Sequence, residues 1–287
     1  MSKLLFSDAH THTNPVRGLG VSGIVPRFKR VNGWFMALIS LAPWHYGLSP
    51  TLEHYINSAR IVVKECKKAR EMGLKCKCFA GVHPADIDKL TDRYNLKLED
   101  AYKLLDKVLD SLIKMCRDGL LDGIGEVGRQ HYRTLPERIA VSEILLIKTL
   151  EASRDYDFIV HLHMESGGIV TLNYLREICR LIGFKNRWRI IVHHVTNLNI
   201  IREIVDMGFS VTIPGVQTIL AKLDNSIPPA FMIESDYLDD PKRPGVVVYP
   251  WTMVEYELKL LEKGLVDSRY LEKVNIDNIV KVYGEKP

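Results

Sequence analysis

The chain has 287 residues, 46% hydrophobic and 26% charged, which is ample material for a sizeable core and excludes a disordered or fibrous class. Five cysteines, an odd number with no C-x-x-C pair, argue against a disulfide framework and against a structural zinc knuckle. A formal net charge of +4 permits a phosphate-bearing partner without demanding one, and the longest nearly apolar run, residues 33–44, is shorter than the roughly 20 residues of a membrane span. No membrane partner and no obligate protein partner are expected. With no leader-like start, the expected location is cytoplasmic.

In chain order, the first apolar run is KLLFSDAH (3–10), which leads into FSDAHTHTNP (6–15). Residues i and i+2 of a strand share a face, so His10 and His12 project together, with Asp8 one pleat behind, and a cation can sit between the two imidazoles. Residues 13–32 carry five glycines and prolines and little helical period, so a loop with at most a short helix is expected there. A second strand follows in GWFMALIS (33–40). Trp34, Phe35, Trp44 and Tyr46 bracket it and read as core or rim packing. Leu52, Tyr55, Ile56, Ala59, Val62, Val63, Cys66 and Ala69 then keep a 3.6-residue period, as a helix with one buried face does. The third run, KCKCFAGVH (75–83), ends on His83, and Leu98, Ala101, Leu104, Leu105, Val108 and Leu112 mark a further helix. Five more runs complete the series: LLDGIGEVG (120–128), DFIVHLH (157–163), WRIIVHH (188–194), GFSVTI (208–213) and AFMIESD (230–236). Gly73, Gly119, Gly183 and Gly208 follow helical stretches, where a left-handed residue ends a helix.

Eight strands alternating with helices predict a parallel sheet closed into a (β/α)₈ TIM barrel, taken as a single domain over 1–287. The active site of such a barrel lies at the C-terminal ends of the strands, and the polar residues closing the apolar runs are His10, His12, Glu126, His161, His163, His193, His194 and Asp236. Imidazoles and carboxylates converging from separate strands suit Zn²⁺, Mn²⁺ or Mg²⁺, one ion or two. Strand alternation lets both His161 and His163 point inward but admits only one of His193 and His194. Glu234 shares a face with Asp236 and is a candidate to orient a ligand histidine from below.

These motifs together resemble the TatD family of metal-dependent hydrolases, among the amidohydrolase-type TIM barrels. FSDAHTH is similar to the family's D-x-H-x-H, GVHP (81–84) to G-[IV]-H-P, IGEVG (124–128) to I-G-E-x-G, and IVH (159–161) to its strand-five histidine. IVHHVTN (191–197), IESD (233–236) and NIVKVYG (278–284) resemble three further family motifs. The resemblance implies that His10, His12 and Asp236 hold one metal, that His161 and His193 hold a second, and that Glu126 bridges them in the catalytic centre. It implies DNA as substrate, cut at phosphodiester bonds; Asp236, placed to touch both metal and water, is the candidate general base. His83 and His163, the latter where the family has an arginine, fall on the substrate side. Arg129 and Arg133 after strand four, with Arg17, Arg27, Lys29 and Arg30 in the first crossover, are candidate phosphate contacts. The chain departs from the family pattern at Arg129-Gln130, where Leu-Asp is usual, at Ala85, and in SDYLDDP (235–241). A histidinol-phosphate-type phosphoesterase fits the G-E-x-G and H-P motifs less well. Two other readings are a small-molecule lactonase, amidase or phosphotriesterase whose pocket is closed by Trp34, Trp44 and Tyr46, and a non-catalytic nucleic-acid-binding relative.

Overall fold

The computed structural model describes residues 4–287; Lys3, the first letter of the opening apolar run, lies outside them. The eight strands form where the apolar runs placed them: β1 Phe6–His12, β2 Gly33–Ile39, β3 Lys75–Ala80, β4 Gly123–Gly128, β5 Ile159–His163, β6 Ile190–Val192, β7 Ser210–Pro214 and β8 Met232–Glu234. They lie in sequence order, every neighbouring pair parallel. The seam between β8 and β1 is joined just past the end of β8. There Asp236 N–H donates to the His10 carbonyl at 3.0 Å, and His12 N–H donates to that of Tyr237 at 2.9 Å. The result is a nearly closed parallel (β/α)₈ barrel.

Around it run α1 Gly20–Arg30, α2 Leu52–Glu71, α3 Ala85–Asp92, α4 Leu98–Arg117, α5 Pro136–Tyr156, α6 Ile169–Leu181, α7 Ile201–Asp206, α8 Gln217–Leu220, α9 Pro250–Glu262, α10 Ser268–Glu272 and α11 Asn278–Tyr283. No helix among the described residues is long and apolar enough to cross a membrane. The two-residue period of β2 sorts the core. Met36 and Leu38 pack outward among the helices, while Phe35, Ala37 and Ile39 join Phe79, Ile191 and Tyr283 along the barrel axis. Helix α11 stoppers the end opposite the mouth: Asn278 Nδ2 donates to the carbonyls of Pro229 and Phe231, just before β8.

The first crossover differs from expectation, because α1 has eleven residues rather than being a loop with a short helix. Val21, Ile24, Val25 and Phe28 are fully buried at helical spacing, a period obscured by the glycines and Pro26 among them. Its start is satisfied from far away in sequence. Asp239 accepts from the N–H groups of Asn14, Leu19 and Gly20 at 2.7, 2.7 and 2.9 Å, and Glu65 accepts from that of Val21 at 2.7 Å. Two remote carboxylates thus cap a helix that has no local cap.

A buried carboxyl outside the mouth makes stability depend on pH. Glu257 is fully buried; its Oε2 accepts from Asn275 Nδ2 at 2.6 Å, and its Oε1 has no partner. Burial pushes its carboxyl up from 4.5 to about 8. A raised folded-state pKa gives a contribution fully present below pH 4.5 and lost as pH rises through about 8. Glu257→Gln keeps an acceptor for Asn275 and cannot ionise, so it is expected to stabilise the protein at pH 8 by roughly 2–4 kcal/mol and to change little at pH 4. Denaturant midpoints at the two pH values check this; equal shifts at both contradict it.

Candidate metal centre

The strand ends deliver their polar residues to one mouth, and Glu126 stands at the centre. Both strands that supply the first candidate ligands are irregular there. The β4–β5 register slips between Gly125 and Val127, and the β1–β2 register slips between Asp8 and Thr11, so each bulge re-aims the side chains it carries. His10 Nε2 and His12 Nε2 each lie 3.8 Å from a Glu126 oxygen, His193 Nε2 lies 3.1 Å away and His163 Nδ1 lies 3.0 Å away. Asp236 Oδ1 is 3.5 Å from His12 Nε2. Gly128 lets β4 approach β5 closely: its φ is +151°, and a Cβ there would collide with the His163 carbonyl.

Hydrogen bonds behind the imidazoles set which nitrogen is free. His12 Nδ1 donates to the Ile39 carbonyl at 3.0 Å, and His193 Nδ1 donates to Glu234 Oε2 at 3.0 Å, the orienting role expected of Glu234. The third case is longer. Tyr283 Oη donates to the Ala9 carbonyl at 2.9 Å, which leaves it to accept from His161 Nε2 at 3.2 Å. His161 Nδ1 must then accept, and its neighbour at 3.1 Å is His10 Nδ1. Burial foremost, with His193 beside it, pushes His161 down to about 3, so the ring is neutral and the chain of donors is consistent. All three Nδ1 atoms carry protons to named acceptors, which turns all three Nε2 atoms toward Glu126.

This arrangement fits a cation. His10 Nε2 and His193 Nε2 are buried without a hydrogen-bond partner, and bare polar atoms in the interior cost free energy unless something binds them. Four groups each bring three ligand atoms within 4.8 Å of one another: His10, His12 and Glu126; His10, His193 and Asp236; His83, Glu126 and His163; and His193, His194 and Glu234. Glu126 belongs to two of them, as a carboxylate between two divalent ions does. Burial alone would raise the Glu126 carboxyl, yet His83, His163 and His193 around it win and hold it well below the usual range. Conversely, burial depresses His193 and His194, but Glu234 and the carboxylates near it prevail, leaving His193 well above its ordinary value and His194 at about 9. A metal must expel those protons. Its affinity is therefore expected to strengthen at least tenfold from pH 6 to pH 8, with proton release visible as buffer-dependent heat in calorimetry; an affinity flat over that range contradicts the assignment.

Other expected residues are placed differently. His161 is brought to none of these groups; it lies fully buried beneath His10, and His163, one pleat nearer the mouth, stands beside Glu126. Both His193 and His194 reach the carboxylates, contrary to strict alternation, because β6 ends at Val192 and His194 turns at φ +61°, setting its Nδ1 3.3 Å from Asp236 Oδ2. Arg129 is engaged elsewhere: its guanidinium pairs with Glu143 and Glu165 and lies 4.0 Å over the Tyr174 ring. Gln130 donates to the Pro84 carbonyl and to Asp88, pinning the loop after β4 onto α3, so the substitution at this position falls outside the ligand groups. Lys29 binds the Met72 carbonyl at the end of α2, and Arg27 lies over Trp251. Lys29 and Arg30 close α1, and helices of this barrel run back from the mouth, so these two lie at its far end. His83 does border the centre. Its Nδ1 accepts from Ala85 N–H at 2.9 Å, and burial pushes it down to about 3, so a neutral ring turns an Nε2–H outward as donor. His131, whose Nδ1 sits 2.7 Å from His163 Nε2, is a site neighbour that no spacing in the sequence signals.

The family described as TatD related DNase matches residues 7–284. The chain belongs to the TatD family. Its fold and clustered ligands are those of a metal-dependent hydrolase. This TatD-family protein is 25% identical over 284 residues to an uncharacterized protein of Methanocaldococcus jannaschii, covering 99% of this chain and 97% of that one. Among solved structures it is similar in fold to a TatD homologue of Escherichia coli, with a TM-score of 0.65 at 15% identity over 98% of both chains. It is also similar to the phosphotriesterase homology protein of E. coli, solved with phosphate in its active site, with a TM-score of 0.63 at 14% identity, covering 99% of this chain and 100% of that one.

Proposed function

We propose that this protein, as one hydrolase domain over 1–287, is a deoxyribonuclease that hydrolyses phosphodiester bonds with the help of two divalent ions. The observation that carries the reading is the convergence of the Nε2 atoms of His10, His12 and His193 on Glu126, with Asp236 and His163 beside them. The family's description as DNases and the phosphate in the E. coli homology protein support a phosphoryl substrate. His10, His12, Asp236 and Glu126 would hold one ion, and Glu126, His163 and His193 the other. Zn²⁺, Mn²⁺ or Mg²⁺, when bound, supplies Lewis acidity toward a phosphoryl oxygen and lowers the pKa of water.

The remaining chemistry belongs to side chains. Burial works against ionisation of Asp236, but His12 and His194 outweigh it and keep the carboxylate charged, so it can accept the proton of the attacking water and pass it to the leaving oxygen. His83, neutral with its Nε2–H outward, donates to a non-bridging oxygen of the substrate. Glu234 holds His193 in one tautomer, and the Tyr283–His161 pair does the same for His10.

The test is cleavage of end-labelled single- and double-stranded DNA after chelation and add-back of Mg²⁺, Mn²⁺ or Zn²⁺, with Asp236→Ala as control. Progressive shortening that vanishes in the variant is the expected result. Intact DNA despite bound metal overturns the nuclease reading and turns attention to a small ester, lactone or amide.

A further inference from the structure

Beside His12 and Glu126 lies an open cleft that is also lined by Trp44, His45, Lys89 and Arg243. Lys89 Nζ sits 4.9 Å over the Trp44 ring, and no ion pair to it is present among the described residues. Arg243 binds Asp240 through Nε, at 2.9 Å, which leaves its two terminal nitrogens to the cleft. The carboxylates at this wall are Glu126, Asp86, which accepts from the Tyr55 hydroxyl at 3.2 Å, and Asp240, which is taken by Arg243 Nε. His45 stands on the same wall, where burial first and then Lys89, His12 and Arg243 push it down to about 4 against the pull of Asp240. Two cations with spare donors, one steered by an aromatic face and both bordering the reacting centre, make a receptor for an anion. Trp34 is in the core, with its Nε1 on the Asn275 carbonyl, and Tyr46 is buried, so of the three aromatics expected to close a small-molecule pocket only Trp44 lines this cleft.

We infer that Lys89 and Arg243 form an anion subsite that holds a second phosphate of the substrate, one unit along from the bond that is cut. The inference rests on the phosphodiesterase reading and narrows it. The preferred substrate is then an oligonucleotide or a nucleotide bearing a further phosphate, and a neutral ester, lactone or triester makes no use of the subsite.

Three dinucleotides test this with the metal-loaded full-length protein: TpT, pTpT and TpTp, which share the scissile diester and differ only in a terminal phosphate. The expected result is a kcat/KM at least tenfold higher for pTpT or TpTp than for TpT, with the ratio falling to about one in Lys89→Ala and in Arg243→Ala. A ratio near one in the unmodified protein, or one that survives both substitutions, overturns the subsite. If no dinucleotide is cut, the cleavage of longer DNA decides the phosphodiesterase reading separately, and calorimetric titration of thymidine 3′,5′-bisphosphate still reads the subsite. Binding weakened at least tenfold by the double substitution sustains it, and binding that is absent or unchanged removes it.

Discussion

Glu126→Gln is expected to lower turnover by about 10³-fold and to leave the protein with at most one bound ion in place of two. The carboxylate is the one group reached by His10, His12, His163 and His193 alike, at 3.0 to 3.8 Å. An amide of the same shape brings an NH₂ donor toward those nitrogens and removes the negative charge that holds two cations close together. Fold loss is checked by thermal unfolding of the metal-free protein. The imidazoles around it hold the carboxylate ionised against its own burial, so it stabilises the metal-free fold; the variant is expected to unfold at a lower temperature, and metal content and activity are read well below that point. Metal content after dialysis, read by elemental mass spectrometry beside the DNA assay, decides; a variant that keeps two ions and full activity contradicts the central role of Glu126.

The second large effect separates the two histidines of β5. His163→Ala is expected to lose one ion per chain, because His163 Nδ1 is 3.0 Å from Glu126. His161→Ala is expected to keep both ions but bind them about 10–100-fold more weakly, the loss typical of removing a group that orients a ligand. Without His161, the His10 Nδ1 proton has no fixed acceptor and His10 Nε2 is no longer held free. Tyr283→Phe cuts the same chain one step earlier and should weaken the ions by less, since His161 keeps its place against Phe79. Loss of an ion in His161→Ala with both retained in His163→Ala would restore the assignment that the family pattern implies.

That disagreement shows where the sequence stops being legible. Eight apolar runs alternating with helical periods were enough for the barrel, because buried parallel strands read as short apolar runs and the glycines mark helix ends. His10, His12, Glu126, His193 and Asp236 were legible for the same reason, each closing such a run. Depth along β5 was not, since His161 and His163 share a face and only the packing of Tyr283 from α11 below shows which is occupied from beneath. His194 escaped because alternation holds only inside a strand and β6 is three residues long. Helix α1 escaped because its capping carboxylates, Glu65 and Asp239, are 44 and 219 residues away from the N–H groups they bind. Arg129 looked free as a letter in the sequence, yet Glu143 and Glu165 claim it in three dimensions. Lys89 gave no signal at all, for a lysine on a short amphipathic helix ordinarily faces solvent.

The most direct test of the account is anomalous diffraction from crystals of the protein loaded with Zn²⁺ or Mn²⁺, collected on either side of the metal edge. Two peaks are expected at the mouth, one touching His10, His12 and Asp236, the other His163 and His193, with Glu126 reaching both. A peak on His161, or ordered crystals in saturating metal with no peak against Glu126, would contradict it.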